Sequence, residues 1–281
     1  MAAEPTLVTI EDLGAPGADK VLEEMGRLSQ DYDRFLVTSP DHHTDRPAGL
    51  HASEINPCAL KAYFTMTGME KKVIRKHSKW RKRFEHGSAL HEVIQTNMQQ
   101  MAESSGGEIE FDKEVEITPE TSLIAARYNI YSHCDGLVRK YKVGARGERR
   151  LFGRIALEIK SASPSDYEKI NKPKPEHIEQ GHVYMACLNV PAIYFMYYNK
   201  GNDNIKPSNG NFMVKFNQAL WERLARRFDS WYDLIDLGKR PEKKESIVCE
   251  FCPYSWTCQP DYTNKKSRET VQRMVRFRRP T

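Results

Sequence analysis

The chain has 281 residues and a net charge of +5, with a pI near 8.7. That is enough chain to bury a core in one elaborated domain, and the mild basic bias permits nucleic-acid binding without requiring it. Met1-Ala2-Ala3-Glu4-Pro5 lacks the basic flank and apolar run of a leader, and no later window reaches bilayer-spanning apolar length, so a soluble, cytoplasmic protein with no membrane partner is expected. In a reducing compartment its six cysteines read as metal ligands or buried thiols rather than disulfides.

Residues 1 to 50 carry four basic side chains against ten acidic ones. Val21, Leu22, Met25, Leu28, Tyr32, Phe35 and Leu36 recur at helical spacing, which predicts an amphipathic helix over 18–37 that either packs on the rest of the chain or docks a partner. The breaker-rich stretch from Ser39-Pro40 to Gly49 reads as a linker. Asn56-Pro57 then looks like a cap and first helical residue, placing Cys58 in the first turn of a helix that ends near Thr67 before Gly68. The helix dipole there favours a thiolate.

Between 71 and 83 stand eight basic residues, Lys71, Lys72, Arg75, Lys76, Lys79, Arg81, Lys82 and Arg83, with Trp80 among them. Such a run can follow a phosphate backbone while the aromatic stacks on an unpaired base; a solvated basic helix face is the plainer alternative. Ser78 is expected to cap a helix to about Ser104, with Trp80, Phe84, Gly87, His91, Ile94, Met98 and Met101 in one inward stripe. By spacing alone His91 is either a satisfied core residue or a ligand.

Residues 108–117 and 123–131 both read as strands, followed by a hairpin whose arms are 137–141 and 151–160. Period two puts Glu158 and Lys160 on one side of the second arm, and antiparallel pairing brings Asp135 toward Glu158, so that two carboxylates flank one cation. Hard carboxylate oxygens suit Mg²⁺ or Mn²⁺, and a lysine two residues from a ligand can orient water or steady negative charge. An isolated Glu-x-Lys is, however, common on exposed strands. A loop over 164–175 leads to a helix on which Gln180 and Tyr184 share a face. Strands 193–198 and 212–216 and a helix over 217–237, ending at Gly238, complete an α/β arrangement of helices around a central mixed sheet.

Cys249, Cys252 and Cys258 fall within ten residues, a metal-binding signature that becomes four-sulfur with Cys58 and suits a [4Fe–4S] cluster or Zn²⁺. Such a site would staple the chain's C-terminal end to the helix near residue 60. Cys134 and Cys187 read as buried thiols. The seven basic residues after Asn264 form either a phosphate-binding arm or a solubilising tail.

Taken in order, Gly87-x-x-x-His91, Asp135, Glu158-Ile159-Lys160, Gln180-x-x-x-Tyr184 and the four cysteines resemble the PD-(D/E)xK nuclease superfamily. The likeness is to its RecB-like branch with iron–sulfur sites, such as the CRISPR-associated exonucleases and AddB. It covers residues 52 to 260. It implies a restriction-endonuclease-like core, His91, Asp135, Glu158 and the Ile159 carbonyl as metal ligands, Lys160 assisting water, and Gln180 and Tyr184 lining the cleft. It also favours a cluster over zinc. The expected organisation is an acidic helix and linker over 1–50, a nuclease domain over 51–260 and a basic tail over 261–281. The expected activity is Mg²⁺- or Mn²⁺-dependent hydrolysis of DNA, by an exonuclease acting at ends or on single strands. A non-catalytic iron–sulfur or zinc DNA-binding protein within a recombination, repair or replication complex is the alternative.

Overall fold

A computed structural model describes residues 30, 34–35, 47–55, 58–71, 78–206, 212–243, 249 and 252–258, without the side chains of 78–81, 83 and 84. The chain divides into two compact units, residues 1–42 with 75–85 and residues 43–74 with 86–281. In the first, Gln30, Arg34 and Phe35 are helical and exposed; the rest of the helix expected over 18–37 lies outside the described residues. The tail after 258 also lies outside them. Among the described residues no helix is long and apolar enough to cross a membrane.

The second unit is built on a mixed sheet. The chain runs α1 (Ala59–Met66), α2 (Ser78–Glu103), β1 (Ile109–Ile117), α3 (Leu123–Tyr128), β2 (Ser132–Val143), β3 (Arg149–Ala162), α4 (Pro164–Lys169), α5 (Pro175–Leu188), β4 (Ala192–Asn199), β5 (Ile205–Lys206), β6 (Met213–Lys215), α6 (Gln218–Asp236) and α7 (Ser255–Cys258). Strand order is β1-β2-β3-β4-β5, with β6 also on β4. The first three strands pair antiparallel, whereas β3 and β4 are parallel, Lys160 beside Tyr197. A parallel pair needs a crossover, and α4 with α5 supplies it.

The stretch 156–159 of β3 is covered on both sides. Ile94, Phe111, Leu157 and Ile159 form one small cluster with Met98 of α2 against it. Ala156 belongs to the main core, with Tyr63, Phe64, Val183, Phe195, Leu224 and Phe228. Helix α5 lies close on β4 because Gly181 has no side chain: a Cβ there would stand 2.8 Å from Phe195 Cζ and 3.0 Å from Ile193 Cγ2. Gln180 is thereby held over the sheet.

Several expected elements differ. The strand expected over 123–131 is instead α3, capped by Ser122 Oγ accepting from the Ala125 N–H and stopped by Asn129 at φ 47°. Its cap and left-handed stop, with Ala125 and Tyr128 facing the core and Leu123 90 % exposed, outweigh the strand-like look of the segment. The loop expected over 164–175 contains α4, started by Ser163 and Pro164, and the stretch between the strands expected over 193–198 and 212–216 contains β5. Cys58 is the N-cap of α1 in extended backbone, not a residue of its first turn. In α2, Ile94 is buried but Met101 is 44 % exposed.

Candidate active site

Asp135 and Glu158 sit where β2 and β3 stop exchanging backbone hydrogen bonds, one residue past the Gly136–Leu157 pair. In place of the ladder, the Ile159 N–H donates to Asp135 Oδ2 at 2.6 Å. Asp135 Oδ1 accepts from His91 Nδ1 at 3.2 Å, which brings α2 to the same point. Glu158 is 3 % exposed. Its Oε1 accepts from Lys160 Nζ at 2.6 Å and from Gln180 Nε2 at 2.8 Å, while Oε2 is buried with no hydrogen-bond partner. Lys160 Nζ also donates to Gln180 Oε1 at 3.0 Å, and Gln180 Nε2 donates to Tyr184 Oη at 2.8 Å. Five of the residues singled out above, Asp135, Glu158, Lys160, Gln180 and Tyr184, are thus one connected group with His91 at its edge.

The electrostatics are those of two acids sharing too little counter-charge. Burial, then the Asp135 carboxylate, push the Glu158 carboxyl up to about 7, against the opposing pull of Lys160 and His91. Burial alone would lower the His91 pKa, but the Asp135 hydrogen bond and the charges of Asp135 and Glu158 raise it. Burial and Glu158 push the Tyr184 and Cys134 groups well above their usual range, so both stay neutral. Cys134 is a buried thiol, as expected, donating to the carbonyls of Gly136 and Leu157.

Two supports escaped the sequence reading. Gln95, 1 % exposed, donates to the Asp135 carbonyl at 2.9 Å and to Glu114 Oε1 at 2.6 Å. Glu114 has φ 50°, and it and Asp135 form no ladder pair although the register on both sides is continuous. The glutamine therefore props open the strand pair beside the acid. Its signal was present: it lies four residues after His91 on the inward side of α2. The other support is His177, within electrostatic reach of Lys160 and hydrogen-bonded through Nδ1 to Tyr197 Oη at 2.6 Å.

The four cysteines lie at the opposite ends of the described chain. Tyr254, fully buried, meets Thr65 Oγ1 at 3.1 Å and packs on Phe64 at 5.3 Å between centroids, bringing the C-terminal segment onto α1. Burial, then the neighbouring thiols, raise the pKa of Cys252 and Cys258: Cys252 feels Cys58 and Cys249, and Cys258 feels Cys252 and Cys58. Cys58, Cys134, Cys187, Cys252 and Cys258 are free thiols. Among the described residues no three His, Cys, Asp or Glu side chains form a ready-made metal cage, here or around Asp135.

Of the basic run, Lys71 is half-buried and Lys82 exposed. Lys79, Trp80, Arg81 and Arg83 are on α2 by backbone, and Lys72, Arg75 and Lys76 lie outside the described residues.

No family model matches the chain, and no curated protein matches it. Among solved structures, that of SSO0001 aligns with a TM-score of 0.44 and 12 % identity, over 84 % of this chain and 98 % of the other. An alkaline exonuclease, LHK-Exo from Laribacter hongkongensis, aligns at 0.43 and 12 %, over 73 % of this chain and 91 % of the other. The same exonuclease in complex with dAMP aligns at 0.41 and 14 %, with the same coverage.

Proposed function

We propose that this protein is a divalent-metal-dependent DNA nuclease, an exonuclease acting on ends or single strands. One observation carries the reading: two carboxylates are buried side by side, and Glu158 Oε2 is left with no donor. A buried acceptor without a partner costs roughly 1–3 kcal/mol, more when charged, so the arrangement suits a cation that would satisfy it. Hard oxygens in this setting fit Mg²⁺ or Mn²⁺. Asp135, Glu158, the Ile159 carbonyl and His91 are the groups that would hold the ion. When bound, such an ion lowers the pKa of a water and offsets the charge that builds on a phosphodiester under attack.

The side chains divide the remaining work. Lys160, fixed between Glu158 and Gln180, presents an ammonium beside Glu158 that can hold the attacking water or a phosphate oxygen. Gln180 and Tyr184 are positioning residues: they fix Glu158 Oε1 and leave Oε2 for the ion. Gln95 does the same for the Asp135 backbone. Lys71, Lys72, Arg75, Lys76, Lys79, Trp80, Arg81, Lys82 and Arg83 are assigned to substrate phosphates and an unpaired base.

For Cys58, Cys249, Cys252 and Cys258 the proposed group is a [4Fe–4S] cluster, with Zn²⁺ as the alternative. The mutual electrostatic influence of these thiols supports that role. Bound there, the group would tie the C-terminal segment to α1. Metal analysis and visible absorbance of anaerobically purified protein separate the two: iron with a brown colour for the cluster, colourless zinc otherwise.

The nuclease reading is tested by digesting end-labelled single- and double-stranded DNA with Mg²⁺ or Mn²⁺. Glu158→Gln and Lys160→Ala should each cut at no more than about a hundredth of the wild-type rate. Equal rates in the variants, or DNA binding without cleavage by wild type, would overturn it.

A further inference from the structure

We propose that one face of the β2–β3 hairpin is a binding surface for single-stranded DNA, separate from the carboxylate site. Residues 139–154 hold seven cationic side chains and one carboxylate, Glu148. The hairpin outgrows its sheet: the β1 ladder ends at Lys140 and the β4 ladder starts at Ala156, so the strand residues 142, 143, 149 and 150 pair only with each other.

The two faces of this ribbon differ in how their charge is met. On one face Arg139 is paired with Asp112 and Glu110. Arg149 is paired with Glu110 on the same face, and its guanidinium lies 4.0 Å from the Tyr141 ring centroid. Tyr141 Oη donates to Glu110 as well. That face is neutralised by β1. The other face carries Lys140 and Lys142, two residues apart, with Arg150 directly across from Lys142. All three are exposed. The β1 residue opposite Lys140 is Ile109, so no β1 carboxylate faces it.

At the centre of the same face stands Phe152. The register shifts there, Lys140 pairing with Gly153 and Tyr141 with Leu151, so Phe152 is an extra residue that turns outward. It is 65 % exposed, and the Lys142 ammonium lies 4.8 Å from its ring centroid. Gly153, across from Lys140, leaves open space beside it. An exposed ring among unneutralised cations matches a backbone that is negative and a base that is flat and unpaired. A duplex offers the phosphates but keeps its bases stacked, and an acidic protein gives the ring no flat partner.

The surface begins five residues along β2 from Asp135, roughly 17 Å at about 3.3 Å per residue. The inference takes its ligand class from the proposed function, but binding alone decides it. The test uses the full chain, a fluorescein-labelled oligothymidylate of about 20 nucleotides and EDTA to prevent cleavage, with anisotropy read over a salt series. Phe152→Ala should weaken binding about 5-fold or more, the low end of one lost base stack. Joint replacement of Lys140, Lys142 and Arg150 by Ala should lower the salt slope by up to about 2, at about 0.7 per phosphate contact. Arg149→Ala, on the neutralised face, should bind as wild type, and thermal melts confirm that the variants fold.

Unchanged affinity and slope in folded Phe152→Ala and triple variants would overturn the inference. So would an equal loss from Phe152→Ala on a blunt duplex, because that result removes the unpaired base from the account. Failure of the nuclease reading looks different: wild-type protein would never cut, yet would bind through the hairpin.

Discussion

The carboxylate centre and the cysteine region are built in opposite ways. Around Asp135 and Glu158 the parts come from adjacent strands whose register is set by the ladder, and helices α2 and α5 add His91, Gln95 and Gln180 from either side. Around Cys58 and Cys258 two distant stretches meet through side-chain packing, chiefly Tyr254 on Phe64 and Thr65, with Arg240 over Phe64 at 4.9 Å and donating to the Thr257 carbonyl. The first is held by the ladders on either side of it and by side-chain hydrogen bonds where the β2–β3 ladder stops; the second relies on a few aromatic contacts and stands to gain most from a bound metal.

The sharpest way to break the carboxylate centre without touching a ligand is Gly136→Ala. A Cβ at residue 136 would overlap the Phe111 ring, one residue from Asp135. Overpacking of this kind costs about 1–3 kcal/mol, read as a lower urea midpoint, and cleavage should fall with it. Wild-type stability in the variant would mean that the close approach of Phe111 is not needed.

Acid should loosen the same region next. His177 on α5 is half-buried beside Tyr197, within electrostatic reach of Lys160 and Lys174; burial first, then these two cations, push its pKa down to about 3 from an ordinary 6.5. The unfolded chain then binds the proton that the folded chain refuses. Stability is therefore present above about pH 6.5 and is lost as pH falls toward 3, by up to about 1.4 kcal/mol per pH unit. Urea midpoints at descending pH should show this slope, and His177→Gln should remove its share. A slope that persists in the variant assigns it to other groups.

The smallest effect belongs to the cysteine region. Tyr254→Phe keeps the aromatic packing and removes the bond to Thr65, which should cost about 0.5–1.5 kcal/mol. If a metal ties the seam, the loss should shrink in metal-loaded protein and grow after chelation; equal losses in both would show that the seam holds without it.

Much of this was legible in the residues. The alternation of β3 placed Glu158 beside Lys160, the hairpin placed Asp135 near both, and the i to i+4 spacing of Gln180 and Tyr184 put them on one face, because these relations depend on local geometry alone. The 123–131 segment was misread because a short apolar run has no period long enough to separate strand from helix, and the Ser122 cap and Asn129 stop decided it. That Met101 is exposed although it falls on the apolar stripe depends on what packs beside α2, which helical spacing does not contain.

By itself, then, the sequence determined the alternating strands, the acid–lysine pair and the cysteine spacing. Only the tertiary structure decided that β3 and β4 run parallel, and that Gly181 lets Gln180 reach Glu158. It also decided that Gln95 supports Asp135 and that one face of the β2–β3 hairpin keeps its charge. The first set follows from the period of a helix or strand. The second rests on contacts between residues far apart in the chain, whose closeness is a property of the packed core.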